Sequence, residues 1–327
     1  GTPMDKHGSA PIFASVDLGS HTARMLIARW IEERLTLEPL FRKRSYILLS
    51  KDFEAAEALT IKGPAVDRAV LCLKEFKRAS EAFDLSYFQV VATGVLREAA
   101  NRHDILRILR EETNLPVRLL SGEEEAILSG LGVSRSLVLG KRPFAVFDLG
   151  GGSTEFLLAG TGRTRALSIP VGAALLSEKY FLSDPPLEEE IGRAGSRVIE
   201  LLSRGTAASF RAEPLLLIGT GGTVTTLGAM LHGIKADEIN PACMNGLILG
   251  RTRVEELFSR MRRMTLDERL RMPGLDQGRA EVILGGTLAV IEILRYFDAP
   301  EALISVSDLL EGVLFERLGY SLPGNDV

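Results

Sequence analysis

Residues 144–159 read FAVFDLGGGSTEFLLA, and residues 13–28 read FASVDLGSHTARMLIA. Laid over each other without a gap, they share Phe, Ala, Asp, Leu, Gly, Leu and Ala. They also keep the apolar class at Val16/Phe147, Met25/Phe156 and Ile27/Leu158. Each stretch is an apolar run ending in Asp-x-Gly, a short polar turn and a second apolar run, the pattern of a β-hairpin. The repetition implies two α/β domains of related plan facing each other across a cleft, where ligands prefer to sit. Two loops of backbone N–H groups would then lie on opposite walls, as a clamp for an anion. The plainer alternative is a duplication whose glycines only shape hairpins, but Gly150-Gly151-Gly152 is more glycine than a hairpin turn needs.

Strands and helices alternate outward from these hairpins. After the first come a strand at Leu35–Leu40 and a helix from Pro64 to about Phe83. In that helix Val66, Val70, Leu73 and Phe76 hold the 3.6 period. Then follow a strand at Tyr87–Ala92, a helical stretch through Leu109, a strand at Val117–Leu120 and a helix over 122–133. After the second hairpin we expect a strand at Thr164–Ile169, helices at Ala173–Tyr180 and Leu187–Leu202, a strand at Leu215–Ile218 and a helix from Thr223. The rest reads as mostly helical, closing with Leu303–Val306 and a last helix through Leu318. The boundary is placed in Ser134–Lys141, giving an N-terminal domain over 12–137 and a C-terminal domain over 138–327. Residues 1–11 (GTPMDKHGSAP) read as a cloning scar and disordered leader.

The chain has 327 residues and a net charge of −4, which disfavours a nucleic-acid coat, a job that rests on a basic face. No apolar run approaches the roughly 20 residues that span a bilayer. Cys72 and Cys243 lie far apart without CxxC spacing, and the four histidines form no HxxxH pair, leaving little for a nitrogen-ligated zinc site. These features point to a cytoplasmic protein with neither nucleic acid nor membrane as a partner.

In Asp148-Leu-Gly-Gly-Gly-Ser-Thr-Glu155, Gly150, Gly151 and Gly152 let the main chain approach a ligand and take positive φ. Ser153 adds a hydroxyl donor. Asp148 and Glu155 would repel a bare phosphate, so their presence suits a divalent cation between them, and magnesium favours one or two carboxylates plus phosphate oxygens. Asp17-Leu-Gly19-Ser20 is the same device with less glycine. No P-loop GxxxxGK[ST] occurs. Ser121 and Glu124 fit a capping box opening the 122–133 helix. Glu125 lies three positions before Leu128, towards the apolar stripe; it is either a solvated-face charge or a general base able to take a proton from water. Gly219-Thr-Gly221-Gly222-Thr223 is a strand end, a Gly-rich turn and a helix start, where a helix N-terminus meets a phosphate.

Together these residues resemble the fold shared by actin, sugar kinases, acetate kinase and the heat-shock chaperone ATPases, with its paired actin-like (ribonuclease H-like) domains. Within it the chain resembles the exopolyphosphatase/guanosine pentaphosphate phosphohydrolase (Ppx/GppA) family. The motifs fall in family order: VDLGS (16–20), ATGVLREAANR (92–102), LSGEEEA (120–126), FDLGGGSTE (147–155), SIPVGAALL (168–176), GTGGTVTTL (219–227) and RAEVILGG (279–286). The resemblance implies that Glu125 is the catalytic glutamate, with Arg97 beside it in the cleft. It implies that Asp148 and Glu155 serve Mg2+ and the attacking water. Asp17, Gly19, Ser20, Gly150, Gly151, Gly152 and Ser153 then form the phosphate turns, with Arg24, Gly221, Gly222, Thr223 and Arg279 on the substrate. Departures are ILLSKDF (47–53) in place of an LGEGL-like run, His21 in place of a small polar residue, RAE in place of RAD, and Leu309-Leu310-Glu311-Gly312 in place of LREG.

The expected activity is magnesium-dependent release of terminal orthophosphate from inorganic polyphosphate, a phosphoric anhydride hydrolysis. The alternatives are a guanosine pentaphosphate (pppGpp) phosphohydrolase and a non-catalytic alarmone-binding sensor. Either polyphosphate or a guanosine polyphosphate would be the ligand, and a homodimer is the family's common state.

Overall fold

The structure, a computed structural model, describes residues 9–54, 57–160, 162–205 and 216–322. Residues 1–8 of the expected leader, Leu215 and residues 323–327 lie outside them. The first half runs β1 (Ile12–Leu18), β2 (Thr22–Ile31), β3 (Thr36–Tyr46), α1 (Gly63–Ser80), β4 (Leu85–Ala92), α2 (Val95–Glu98), α3 (Arg102–Thr113), β5 (Val117–Leu119) and α4 (Gly122–Ser136). The second runs β6 (Phe144–Leu149), β7 (Thr154–Ala159), β8 (Arg165–Ile169), α5 (Ala173–Tyr180), α6 (Glu188–Gly205), β9 (Leu216–Thr220), α7 (Gly222–His232), α8 (Pro241–Met244) and β10 (Ile248–Gly250). It closes with α9 (Arg251–Met261), α10 (Leu266–Leu270), α11 (Gln277–Ala280), α12 (Ile283–Tyr296), β11 (Glu301–Ile304) and α13 (Leu309–Arg317).

The sheets order as β3-β2-β1-β4-β5 and β10-β11-β9-β6-β7-β8. Apart from the added edge strand β10, the second repeats the first, so the duplication seen in the hairpins extends to whole sheets. The α/β plan expected from the sequence stands. Some boundaries differ. Strand β3 runs on through Arg42-Lys43-Arg44 to Tyr46, because a half-wet edge strand tolerates charge and shows no clean alternation. The helical stretch through Leu109 breaks at extended Ala99 into α2 and α3. Strand β10, with three residues at a sheet edge, is too short to show a period.

Successive strand side chains point to opposite faces, and both hairpins use that alternation in the same register. Ala14, Val16 and Leu18 with Met25 and Ile27 face a core closed by Leu73 and Phe76 of α1 and Leu109 of α3. Phe147, Leu149, Phe156 and Leu158 face a second core with Val198 of α6 and Ile291 of α12. The other faces meet between the halves: Phe13, Leu26 and Trp30 share one core with Phe144, Val146, Leu157, Leu131 of α4 and Leu314 of α13. Asp17, Arg24, Asp148 and Glu155 follow this inner alternation, so they point into the space between the sheets.

Helix α4 lies on β7 and β8 of the second sheet, and α13 lies on β1 and β2 of the first. The two helices cross where neither has a side chain. A Cβ on Gly132 would come within 1.9 Å of Asp308 O, and one on Gly312 within 1.8 Å of Leu128 O. Glycine alone allows so close a backbone approach. The capping box at α4 forms as expected: Glu124 N–H donates to Ser121 Oγ and Ser121 N–H to Glu124 Oε1, both at 3.1 Å. The cap fixes the first turn of α4, and with it Glu125, while the crossing holds the helix further along.

Candidate active site

The two hairpin turns are built alike and touch. Gly19 N–H donates to Thr22 O and Gly150 N–H to Ser153 O, each at 3.0 Å. A Cβ on Gly152 would lie 2.3 Å from Ser20 Oγ, and one on Gly151 would lie 2.7 Å from His21 Cβ. None of Gly150, Gly151 and Gly152 has a positive φ. The expected left-handed backbone is therefore not their purpose; at Gly151 and Gly152 the other turn occupies the space of a side chain, whereas a Cβ on Gly150 would meet Ser153 O of its own turn at 3.4 Å. The carbonyls of Gly150 and Gly151 accept from Ala173 N–H at 2.9 Å and Ala174 N–H at 3.0 Å in the first turn of α5. In a trans peptide C=O and N–H point in opposite directions, so the amides of Gly151 and Gly152 face away from α5.

Below the turns lies a cavity of about 410 Å³, its wall including Asp17, Ser20, Arg24, Glu125, Asp148 and Glu155. Glu125 is only 6% exposed. Arg97 Nη1 donates to its Oε2 at 2.9 Å, and Arg97 Nη2 lies 3.6 Å from Glu155 Oε2. Ser153 donates to Glu155 Oε1 at 3.0 Å, Ser168 donates to its Oε2, and Ser129 donates to Asp148 Oδ2 at 2.7 Å. Burial, then the charge of Glu155, holds Glu125 well above the usual carboxylate range, against the pull of Arg97. Burial, then Asp308 and Glu125, pushes Asp148 to about 8. Burial also lifts Glu155 to about 7, opposed by Arg97. Asp17 is raised by burial too, but Arg24 sits 3.1 Å away and offsets it.

A second wall comes from the Gly221-Gly222 turn, where Gly221 takes a φ of 103°. A Cβ on Gly222 would lie 2.2 Å from Arg279 Nη2, so the bare backbone makes room for that guanidinium. Arg279 is 6% exposed, its Nε has no partner, and its guanidinium carbon lies 5.8 Å from the Tyr46 ring centre. His21 Nε2–H donates to Gly278 O at 2.8 Å and ties the first turn to α11. Burial, then the charge of Arg279, pushes this imidazole down to about 4, so it stays neutral at physiological pH.

A family model for Ppx/GppA phosphatases matches residues 26–321. The chain belongs to the Ppx/GppA phosphatase family. As a member it is a hydrolase of phosphoric anhydrides. It is 28% identical over 321 residues to exopolyphosphatase 2 of Mycobacterium tuberculosis, covering 94% of this chain and 98% of that protein. It is 28% identical over 323 residues to a bifunctional 3-dehydroquinate synthase/phosphatase of Fusobacterium nucleatum, covering 96% of this chain and 47% of that one. The chain thus spans about half the length of the fusobacterial relative. Among solved structures, an exopolyphosphatase-like protein superposes with a TM-score of 0.85 at 26% identity, over 95% of this chain and 99% of that one. A Ppx/GppA family member from Aquifex aeolicus gives 0.77 at 27% identity, over 95% and 98%.

The residues expected at this phosphatase's site from sequence largely converge. Asp17, Gly19, Ser20, Arg24, Glu125, Asp148, Gly150, Gly151, Gly152, Ser153, Glu155, Gly221, Gly222 and Arg279 all line one cavity. Arg97 stands behind Glu125 and Glu155. Thr223 is set back: it is buried, and its unpartnered Oγ1 lies against Gly286. Sequence reasoning missed Thr93, which donates to Asp17 Oδ1 at 3.0 Å, and Asp308, which takes Arg24 at 3.1 Å. Asp308 had a signal, a lone acid at the end of the apolar run 302–306.

Among the described residues no cluster of three or more His, Cys, Asp or Glu could enclose a metal ion. Magnesium does not need one, because it takes one or two carboxylates and fills its shell with water and phosphate oxygens. Asp148 and Glu155 face each other across the hairpin, and burial disfavours the charge on both, so a cation beside them would stabilise each carboxylate. That donor set fits a divalent cation.

Proposed function

We propose that this protein is an exopolyphosphatase that hydrolyses the terminal phosphoanhydride of inorganic polyphosphate. Glu125 carries the reading. A carboxylate stands buried beside two touching backbone turns, with its oxygen held by Arg97. The amides of the two turns receive the terminal phosphoryl oxygens, and Glu125 takes the proton of a water. The water oxygen bonds to the terminal phosphorus as the bridging P–O bond breaks, and the shortened chain leaves with that oxygen's charge. A divalent cation, magnesium by its ligand preference, is held by Asp148 and Glu155 and supplies charge neutralisation at the phosphoryl oxygens. Phosphoryl transfer asks mainly for such positioning and charge stabilisation.

Arg97 has two tasks in this scheme. In the resting site its pairing with Glu125 opposes the upward pull that burial exerts on the base. From behind it also holds Glu155, 3.6 Å away, so that both acids keep their places on the cavity wall. The Arg279 wall, with its unpartnered Nε beside the start of α7, suits a phosphate further along the chain. The test is phosphate release from long polyphosphate, guanosine pentaphosphate and ATP, each with and without magnesium. Magnesium-dependent release, fastest from polyphosphate, is expected. Faster release from the pentaphosphate would reassign the substrate, and release from none would remove the catalytic reading.

A further inference from the structure

Two cavity arginines are already occupied. Arg24 on β2 gives Nη1 to both oxygens of Asp308, each at 3.1 Å, and Nη2 to Asp17 Oδ2 at 3.1 Å. Arg42 on β3 gives Nη2 to Glu311 Oε2 at 3.3 Å. Both arginines line the cavity and belong to the first sheet, whereas Asp308 and Glu311 belong to the α13 corner of the second half. Asp308 holds the N-cap position of α13, where an aspartate ordinarily caps its own helix. Here it makes no cap bond. Its carboxylate is 1% exposed, turned to Arg24 and held by Thr220 Oγ1–H at 2.9 Å. The Arg42–Glu311 pair is incomplete: Arg42 Nε and Glu311 Oε1 are buried without partners.

A carboxylate oxygen hydrogen-bonded to a guanidinium stands where a phosphate oxygen would stand. We infer that Asp308 and Glu311 are internal stand-ins for substrate phosphates, holding Arg24 and Arg42 until an anion displaces them and thereby setting how tightly the cavity takes a polyphosphate chain. The inference rests on the phosphohydrolase reading and deepens it. Arg24 is then a substrate ligand in waiting. Substrate must compete with a carboxylate that stays in the cavity, so affinity is lower than free arginines would give. A merely structural cross-cleft strut gives the opposite sign, because loosening it would cost affinity or leave it alone.

The test is calorimetric titration of inorganic tripolyphosphate, with magnesium, into the Glu125→Gln protein with and without Asp308→Asn. The second substitution should tighten binding about tenfold, the scale of one charge-assisted hydrogen bond. Unchanged or weaker binding by a folded variant overturns the inference. Glu311→Gln is run in parallel and carries the test should Asp308→Asn not fold. A smaller gain is expected there because the Arg42 contact is longer, and no gain counts against the inference. A wild type that releases phosphate from no phosphoanhydride removes the function reading, whereas binding that ignores both carboxylates removes only this inference.

Discussion

The two hairpins share a backbone and differ in one charge. In the first, Asp17 lies across the strands from Arg24; in the second, Asp148 lies across from Glu155. The first pair meets at 3.1 Å and is close to neutral. The second places acid against acid between the sheets, where burial above all pushes both carboxyls up, Asp148 to about 8 and Glu155 to about 7. Duplication therefore produced two cradles with different jobs. One pairs its acid with an arginine that also reaches Asp308, and on the proposed function the other offers its two acids to a cation. The proposed chemistry lies on the side with two acids, and Glu125 comes from the helix that lies on that second sheet.

The comparison breaks most severely if the second copy loses its excess charge. Asp148→Asn should remove several kcal/mol of cation-mediated stabilisation, lowering turnover about 10³-fold and abolishing the magnesium response. Steady-state kinetics across a magnesium titration checks this. Closing the space between the copies comes next. Gly152→Ala puts a methyl group where Ser20 Oγ lies, and the misplaced turn should cost about 10²-fold in kcat/KM. Gly312→Ala, at the α4–α13 crossing, meets a backbone carbonyl that cannot move aside, and denaturant melts should show about 1–3 kcal/mol of destabilisation.

The smallest effect concerns stability. Because the folded-state pKa of Asp148 is raised from 3.8 to about 8, the native protein binds that proton more tightly than the unfolded chain. This contribution is fully present below pH 4 and is lost as pH rises through 8. Asp148→Asn should therefore raise Tm at pH 8.5 and leave it unchanged at pH 3.5. A rise at both values would mean the charge is not the cause. Saturating magnesium should shrink the alkaline difference.

What could be read from sequence was local. The hairpins announced themselves through repetition, the α4 cap through Ser121 and Glu124, and the acids of the second turn through six intervening residues of glycine, serine, threonine and leucine. What could not be read depended on distance. Arg24 and Asp308 stand 284 positions apart, and no spacing rule links them. Gly151 and Gly152 were legible as special but not for the right reason, since their need arises from a turn in the other half. Strand β3 was cut short at Leu40 because three basic residues on a wet edge hide its period.

The central claim is that Glu125, lying between unequal cradles, activates water. Single-turnover hydrolysis by Glu125→Gln, with substrate binding measured on the same preparation, tests it most directly. Loss of a general base should slow the chemical step about 10²–10⁴-fold, while tripolyphosphate binds as it does to the wild type. A variant that hydrolyses at the wild-type rate would contradict the account.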